Sequence, residues 1–122
     1  MADSVAVMIS SGGRQAVATA LDLLAAAVAM EMEVHLYFTG EAIVWVGRGE
    51  EPQGDDAEAV RQDVAARLRE LKKDGTVSVH ACSRAMRDHG IPPDHLAPEV
   101  DMPAGFAYFL DLASRATITL NF

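Results

Sequence analysis

The chain is poor in cysteine and in positive charge. Its 122 residues include one cysteine, Cys82, so an intramolecular disulfide framework is excluded. Lys and Arg number 10 against 18 Asp and Glu, a formal net charge of -8. Binding phosphate backbones normally requires a basic face, so no nucleic-acid partner is expected. Long uncharged apolar runs are missing as well. The most apolar stretch, Ala16–Met30, contains Asp22 and is shorter than the ~20 residues needed to cross a bilayer, so no membrane insertion is expected. Met1-Ala2-Asp3-Ser4 carries no Lys or Arg, unlike the basic start of a secretory signal. Together with the lone thiol, this gives a cytoplasmic expectation.

The composition that remains is 50% apolar and 23% charged, which excludes a disordered tail. The length suits one domain over residues 1–122, with a core that needs neither disulfide nor metal.

Apolar spacing divides the chain into alternating strands and helices. Val5–Ile9 is a continuous apolar run stopped by Ser10-Ser11-Gly12-Gly13, the pattern of a strand buried on both faces. Val17, Leu21, Leu24 and Val28 recur at helical spacing within Gln15–Glu31. Val34–Phe38 is a second strand, Glu41–Val46 a short helix carrying Trp45, and Gly47–Asp55 a loop. Asp56–Asp74 has a stripe of Ala57, Val60, Val64, Leu68 and Leu71. Its acids gather at the start and Lys72 and Lys73 at the end, with Gly75 as the stop, matching the helix dipole. Thr76–His80 is a third strand and Ser83–His89 a short helix. Pro92–Pro103 is an excursion without regular pattern. Pro103–Ser114 is a last helix with Phe106, Phe109, Leu110 and Ala113 facing inward, and Ala116–Phe122 alternates like a strand. This order predicts an α/β sandwich around a largely parallel sheet of four or five strands with right-handed crossovers.

Cys82 stands where the third strand gives way to a helix. Ligands usually bind at the carboxyl ends of strands in open α/β sheets. A thiol there faces the unpaired N–H groups of the helix start, beginning at Ser83, and both they and the dipole favour thiolate. Arg84 and Arg87 add positive charge in an acidic chain. A buried packing role is the ordinary alternative for a free cysteine. His80 precedes Cys82 by two residues, so strand alternation sends both to one face. Ser11 and Gly12, at the end of the first strand, are expected to wall the same pocket and to offer N–H groups to an anion. His35 reads as a core or interface residue, and Trp45 as packing. Tyr108 reads as an interface residue.

Other chemistries lack their signatures. No His, Cys or carboxylate cluster has zinc spacing. The Ser10–Arg14 turn lacks the Lys-Ser/Thr of a P-loop and the G-x-G-x-x-G of a dinucleotide site, so no cofactor or metal is expected. Cys82 and Arg87 have the Cys-x4-Arg spacing of a small rhodanese loop, but the segment between them has no glycine with which to wrap an anion.

The segment Val79-His80-Ala81-Cys82-Ser83-Arg84-Ala85-Met86-Arg87-Asp88-His89-Gly90-Ile91 resembles the cysteine-bearing strand-to-helix segment of the DsrE/DsrF-like (sulfur-relay) family. Val5–Gly13, Val34–Val44 and Phe109-Leu110-Asp111-Leu112-Ala113 with the final strand fit the same pattern in order. The resemblance implies a flavodoxin-like three-layer fold, often assembled into trimers or hexamers. It also implies that Cys82 receives sulfane sulfur as a persulfide from a donor protein or small persulfide and hands it to an acceptor. The alternative within the same fold is a non-catalytic oligomeric module that binds a small anion or a partner.

Overall fold

The apolar runs seen in the sequence become the inner strands of a five-stranded sheet. The structure, a computed structural model, describes residues 3–49 and 54–122. The start of the chain at Met1-Ala2 and the middle of the Gly47–Asp55 loop lie outside the described residues. The strands are β1 (Ser4–Ile9), β2 (Glu33–Phe38), β3 (Val77–Cys82), β4 (Met102–Ala104) and β5 (Ile118–Asn121). They lie in the order β4-β3-β2-β1-β5, and every pair is parallel. The helices are α1 (Arg14–Ala29), α2 (Asp55–Asp74), α3 (Ser83–Asp88) and α4 (Phe106–Arg115), with short 3-10 helices at Gly40–Trp45 and Pro93–His95.

The fold is thus the flavodoxin-like layered α/β sandwich, and strand order settles which layer each helix joins. From β1 to β4 the sheet grows in one direction, so right-handed crossovers hold α1 and α2 to one face. The last connection returns past β1 to β5, and the same handedness sends α4 to the opposite face.

The first face holds most of the core. Val17, Leu21 and Leu24 of α1 and Val64, Leu68 and Leu71 of α2 are buried with Val7, Ile9, Leu36 and Val79 of the strands. Each fully buried aliphatic side chain contributes roughly 1.5–3 kcal/mol relative to exposure. Arg67 of α2 pairs with Asp22 of α1 at the rim. The Trp45 indole N–H donates to the Gly12 carbonyl at 3.0 Å, so this ring packs inside as expected. No helix among the described residues is long and apolar enough to cross a membrane.

Two expectations need correction. Strand β4 was not anticipated, because it is three residues long and contains Pro103 inside the Pro92–Pro103 excursion. Proline lacks the N–H of a ladder and is tolerated because β4 is an edge. The last helix starts at Phe106, three residues later than expected, and only Phe109 of its apolar stripe is fully buried. Phe106 is 46% exposed and Leu110 66%, because among the described residues no second helix lies beside α4 to cover its flanks. Gly75 follows α2 as the expected stop, with extended backbone. Its role is close approach: a Cβ there would lie 2.8 Å from Val28 Cγ1 of α1.

The end of α1 is strained. Glu31 has φ of 62°. Around it Met32 N–H donates to the Ala27 carbonyl at 3.0 Å and Glu31 N–H to the Val28 carbonyl at 2.9 Å, the pair of bonds of a Schellman cap. That position normally belongs to glycine, since a Cβ costs about 1 kcal/mol in the left-handed region. Glu31→Gly is therefore expected to stabilise the protein by about 0.5–1 kcal/mol, read as a higher denaturant midpoint at unchanged slope.

Candidate functional site

Cys82 is the last residue of β3 and, at the same time, the cap of α3. Its backbone is still extended, at φ -63° and ψ 118°, and the next residue turns helical. Register explains its neighbours. Tyr37 pairs with His80 and Phe38 with Ala81, so Thr39 follows opposite Cys82 and shares its face with Tyr37. On the other side Cys82 pairs with Ala104, the end of β4.

The thiol is fully buried, at 0% exposure. Neutral, it makes no capping hydrogen bond. Burial pushes its pKa up, whereas hydrogen bonding of the thiolate by the Thr39 and Tyr37 hydroxyls and by the backbone N–H groups of Ala85 and Arg84 pulls it down. Their stabilisation of the thiolate outweighs burial, so the net pKa lies below that of an ordinary thiol. The Tyr37 hydroxyl donates to the Ala104 carbonyl at 3.0 Å. It has one proton, so serving the thiolate means turning from that carbonyl to sulfur. Burial first, and then the hydrogen bond to Cys82 and its charge, hold the phenol well above its ordinary pKa, so Tyr37 stays a donor.

The other sequence candidates divide. Arg84 contributes its backbone N–H, while its side chain is 71% exposed and pairs with Asp88 at 3.9 Å. Arg87 is exposed, and Ser83 is half-buried at the first turn of α3. Ser11 and Gly12 are engaged elsewhere. Ser11 N–H donates to the Phe122 carbonyl at 3.3 Å, and Ser11 Oγ accepts from Gly13 N–H at 3.3 Å. Gly12 packs so closely on Glu41 that a Cβ would fall 2.9 Å from that residue's Cβ. The strand order puts this turn beside β5 and Cys82 two strands away, which is why the expected shared wall does not form.

His80 lies on the Cys82 face but turns to other partners. Its Nε2 is 3.2 Å from Ser78 Oγ, and the same oxygen is 2.7 Å from His35 Nδ1. Its ring stands 5.0 Å from that of Tyr108 in α4. His35 is half-buried, whereas His89 and His95 are exposed.

Thr39 and Tyr37 were missed as site residues. Both sit at the carboxyl end of β2, and a signal existed: neighbouring parallel strands end at the same level, so polar residues closing β2 meet a nucleophile closing β3. Without strand order that adjacency was not available. Thr39→Val or Tyr37→Phe is expected to raise the Cys82 pKa by removing a donor to a charged acceptor, a loss of about 1.5–3 kcal/mol. Ultraviolet titration of thiolate absorbance measures it, and an unmoved titration in both variants would contradict the assignment.

Known proteins place this geometry in context. The crystal structure of the YchN protein from E. coli superposes with a TM-score of 0.72 at 20% identity, covering 100% of each chain. MTH1491 of Methanobacterium thermoautotrophicum, described as a protein of unknown function, gives a TM-score of 0.74 at 15% identity over 97% of this chain and 98% of its own. No curated protein matches. The DsrE/DsrF-like family model matches residues 3–122, nearly the full length over which strand order, layers and the β3–α3 junction have been described. The chain belongs to the DsrE/DsrF-like family.

Proposed function

We propose that the protein is a sulfur-relay protein in which Cys82 accepts sulfane sulfur and passes it to a partner. The observation that carries this reading is the place of Cys82 at the β3–α3 junction, with Tyr37 and Thr39 at the end of neighbouring β2 and the N–H groups of Arg84 and Ala85 at the helix start, a setting that holds its thiol below the ordinary range. The Cys82 thiolate attacks the terminal sulfur of a donor persulfide, R–S–SH. The new S–S bond forms as the old one breaks, the donor leaves as R–S⁻, and Cys82 becomes Cys82–S–SH with no external oxidant or reductant. Loss of its proton gives a persulfide anion that the same donors can hold. With no second cysteine in the chain, internal disulfide formation cannot discharge the sulfur, so an outside nucleophile must take it. Donor and acceptor are proteins or small persulfides. The family resemblance further supports a cytoplasmic homotrimer or homohexamer, and the exposed side chains of Phe106 and Leu110 are apolar surface that such an assembly would cover.

The complete burial of Cys82 favours a second reading, an oligomeric binding module of the same fold in which the cysteine packs. Intact mass after incubation with a persulfide or thiosulfate donor separates the two. A gain of ~32 Da, one sulfur, on the wild type and none on Cys82→Ser is expected for the relay. No adduct with competent donors would leave the binding module. Sedimentation at micromolar concentration is expected to give a particle three or six times the 13.0 kDa chain, and a 13.0 kDa particle would overturn the assembly.

A further inference from the structure

A thiol with no exposure cannot be reached by a donor unless something moves. On its own face stand Ala104, its register partner at the end of β4, and Tyr37, against which α4 packs. Tyr37, whose hydroxyl donates to the Ala104 carbonyl, has its ring 6.2 Å from Phe106 and 5.1 Å from Phe109 of α4. Among the described residues this helix is the only α-helix on that face, and it buries a single residue, Phe109, so it is the least anchored of the longer helices.

Beneath α4 lies the chain His35–Ser78–His80. The one Ser78 hydroxyl donates to one imidazole and accepts from the other, which suits two neutral rings. His80 is 3% exposed, and its Nδ1 is buried with no hydrogen-bond partner among the described residues. Protonation would put a charged N–H where no acceptor waits. The groups facing His80 offer little relief. Lys72 of α2 and His35 of β2 oppose a charge, and Tyr108 of α4 presents its ring. Only Asp101, just ahead of β4, favours it, and that carboxylate is already held by Lys72 Nζ at 2.6 Å and the Val79 N–H at 2.7 Å. Around His35, Glu33 favours a charge and Arg115 opposes it.

We propose that the His35–Ser78–His80 chain is an acid-sensitive latch on α4, and that protonation of His80 loosens the helix and uncovers Cys82. As a control on sulfur transfer it rests on the relay reading above. Burial, the largest cause, lowers both imidazoles from their ordinary 6.5, so the opened state binds the proton more tightly. The latch therefore holds fully above about pH 6.5 and weakens as the pH falls through and below that value.

Hydrogen exchange of the α4 amides, corrected for intrinsic rates, tests it between about pH 7.5 and pH 5. In the wild type, α4 protection is expected to fall about tenfold or more on acidification while α1 holds. In His80→Gln it is expected to respond little to pH. Should that variant fail to fold, His35→Gln, which removes the partner imidazole, is expected to change the pH response of α4. A second readout is the rate at which a dipyridyl disulfide modifies Cys82, taken relative to glutathione at each pH so that thiolate chemistry cancels. The ratio should rise as the wild type is acidified. Unchanged α4 protection across this range, or the same response in His80→Gln, overturns the latch. Sulfur loading measured by mass at both pH values keeps the two readings apart. Loading with a pH-flat α4 removes the latch alone, whereas an acid-loosened α4 with no loading at either pH removes the relay and leaves the latch as a property of the fold.

Discussion

The handedness of β-strand crossovers governs the layout of this protein. Once β1 through β4 are laid in one direction, three connections share a face, and the fourth has no room there and no handedness-conserving route to it. The result is a lopsided sandwich. One face is covered by α1 and α2 with a dense aliphatic core; the other carries α4, a run of polar residues on β2 and β3, and Cys82. Chemistry on the sparse side follows from packing on the dense one. The α1–α2 layer fixes the strand register, and the register brings Thr39, Tyr37 and Ala104 around the sulfur.

The site draws on elements far apart in the chain. Tyr37 and Thr39 close β2, Arg84 and Ala85 open α3, and Ala104 closes β4. Each donor is a weak influence on its own, and burial opposes all of them. Their sum prevails because each donor favours the thiolate more strongly inside a region of low dielectric than it would in water. A solvent-exposed thiol beside the arginines would gain less, since water screens a guanidinium that is 71% exposed as Arg84 is.

Much of this was legible in the sequence, and the boundary is instructive. The continuous apolar run Val5–Ile9 marked β1, the short segments Val34–Phe38 and Thr76–His80 marked β2 and β3, and the Val64–Leu68–Leu71 stripe marked α2, because buried elements write their period directly into composition. Cys82 at a strand end was legible for the same reason. β4 was not, since three residues including Pro103 carry no period at all. The uncovered flank of α4 was not legible either: Phe106 and Leu110 look like core residues until the topology shows that no neighbouring helix among the described residues buries them. Arginine side chains were given a role that backbone N–H groups fill, because composition displays charges and hides dipoles. Thr39 required knowledge of which strand lies beside β3, a long-range fact that no local pattern contains.

One consequence concerns how the chain folds. β1, the first strand in sequence, takes β5 as a neighbour, and the Ser4 N–H donates to Thr117 Oγ1 across 113 residues. Until β5 arrives, one edge of β1 has an open row of backbone donors and acceptors, in a strand whose middle is Val-Ala-Val. Such a closure is slow relative to local pairing, because the chain entropy of so long a loop must be lost before any of its bonds form. In chain order, β1 to β4 and the α1–α2 layer all precede the strand that covers this edge of β1. The strand that pairs across the greatest sequence distance is therefore the one that shields β1 from other chains.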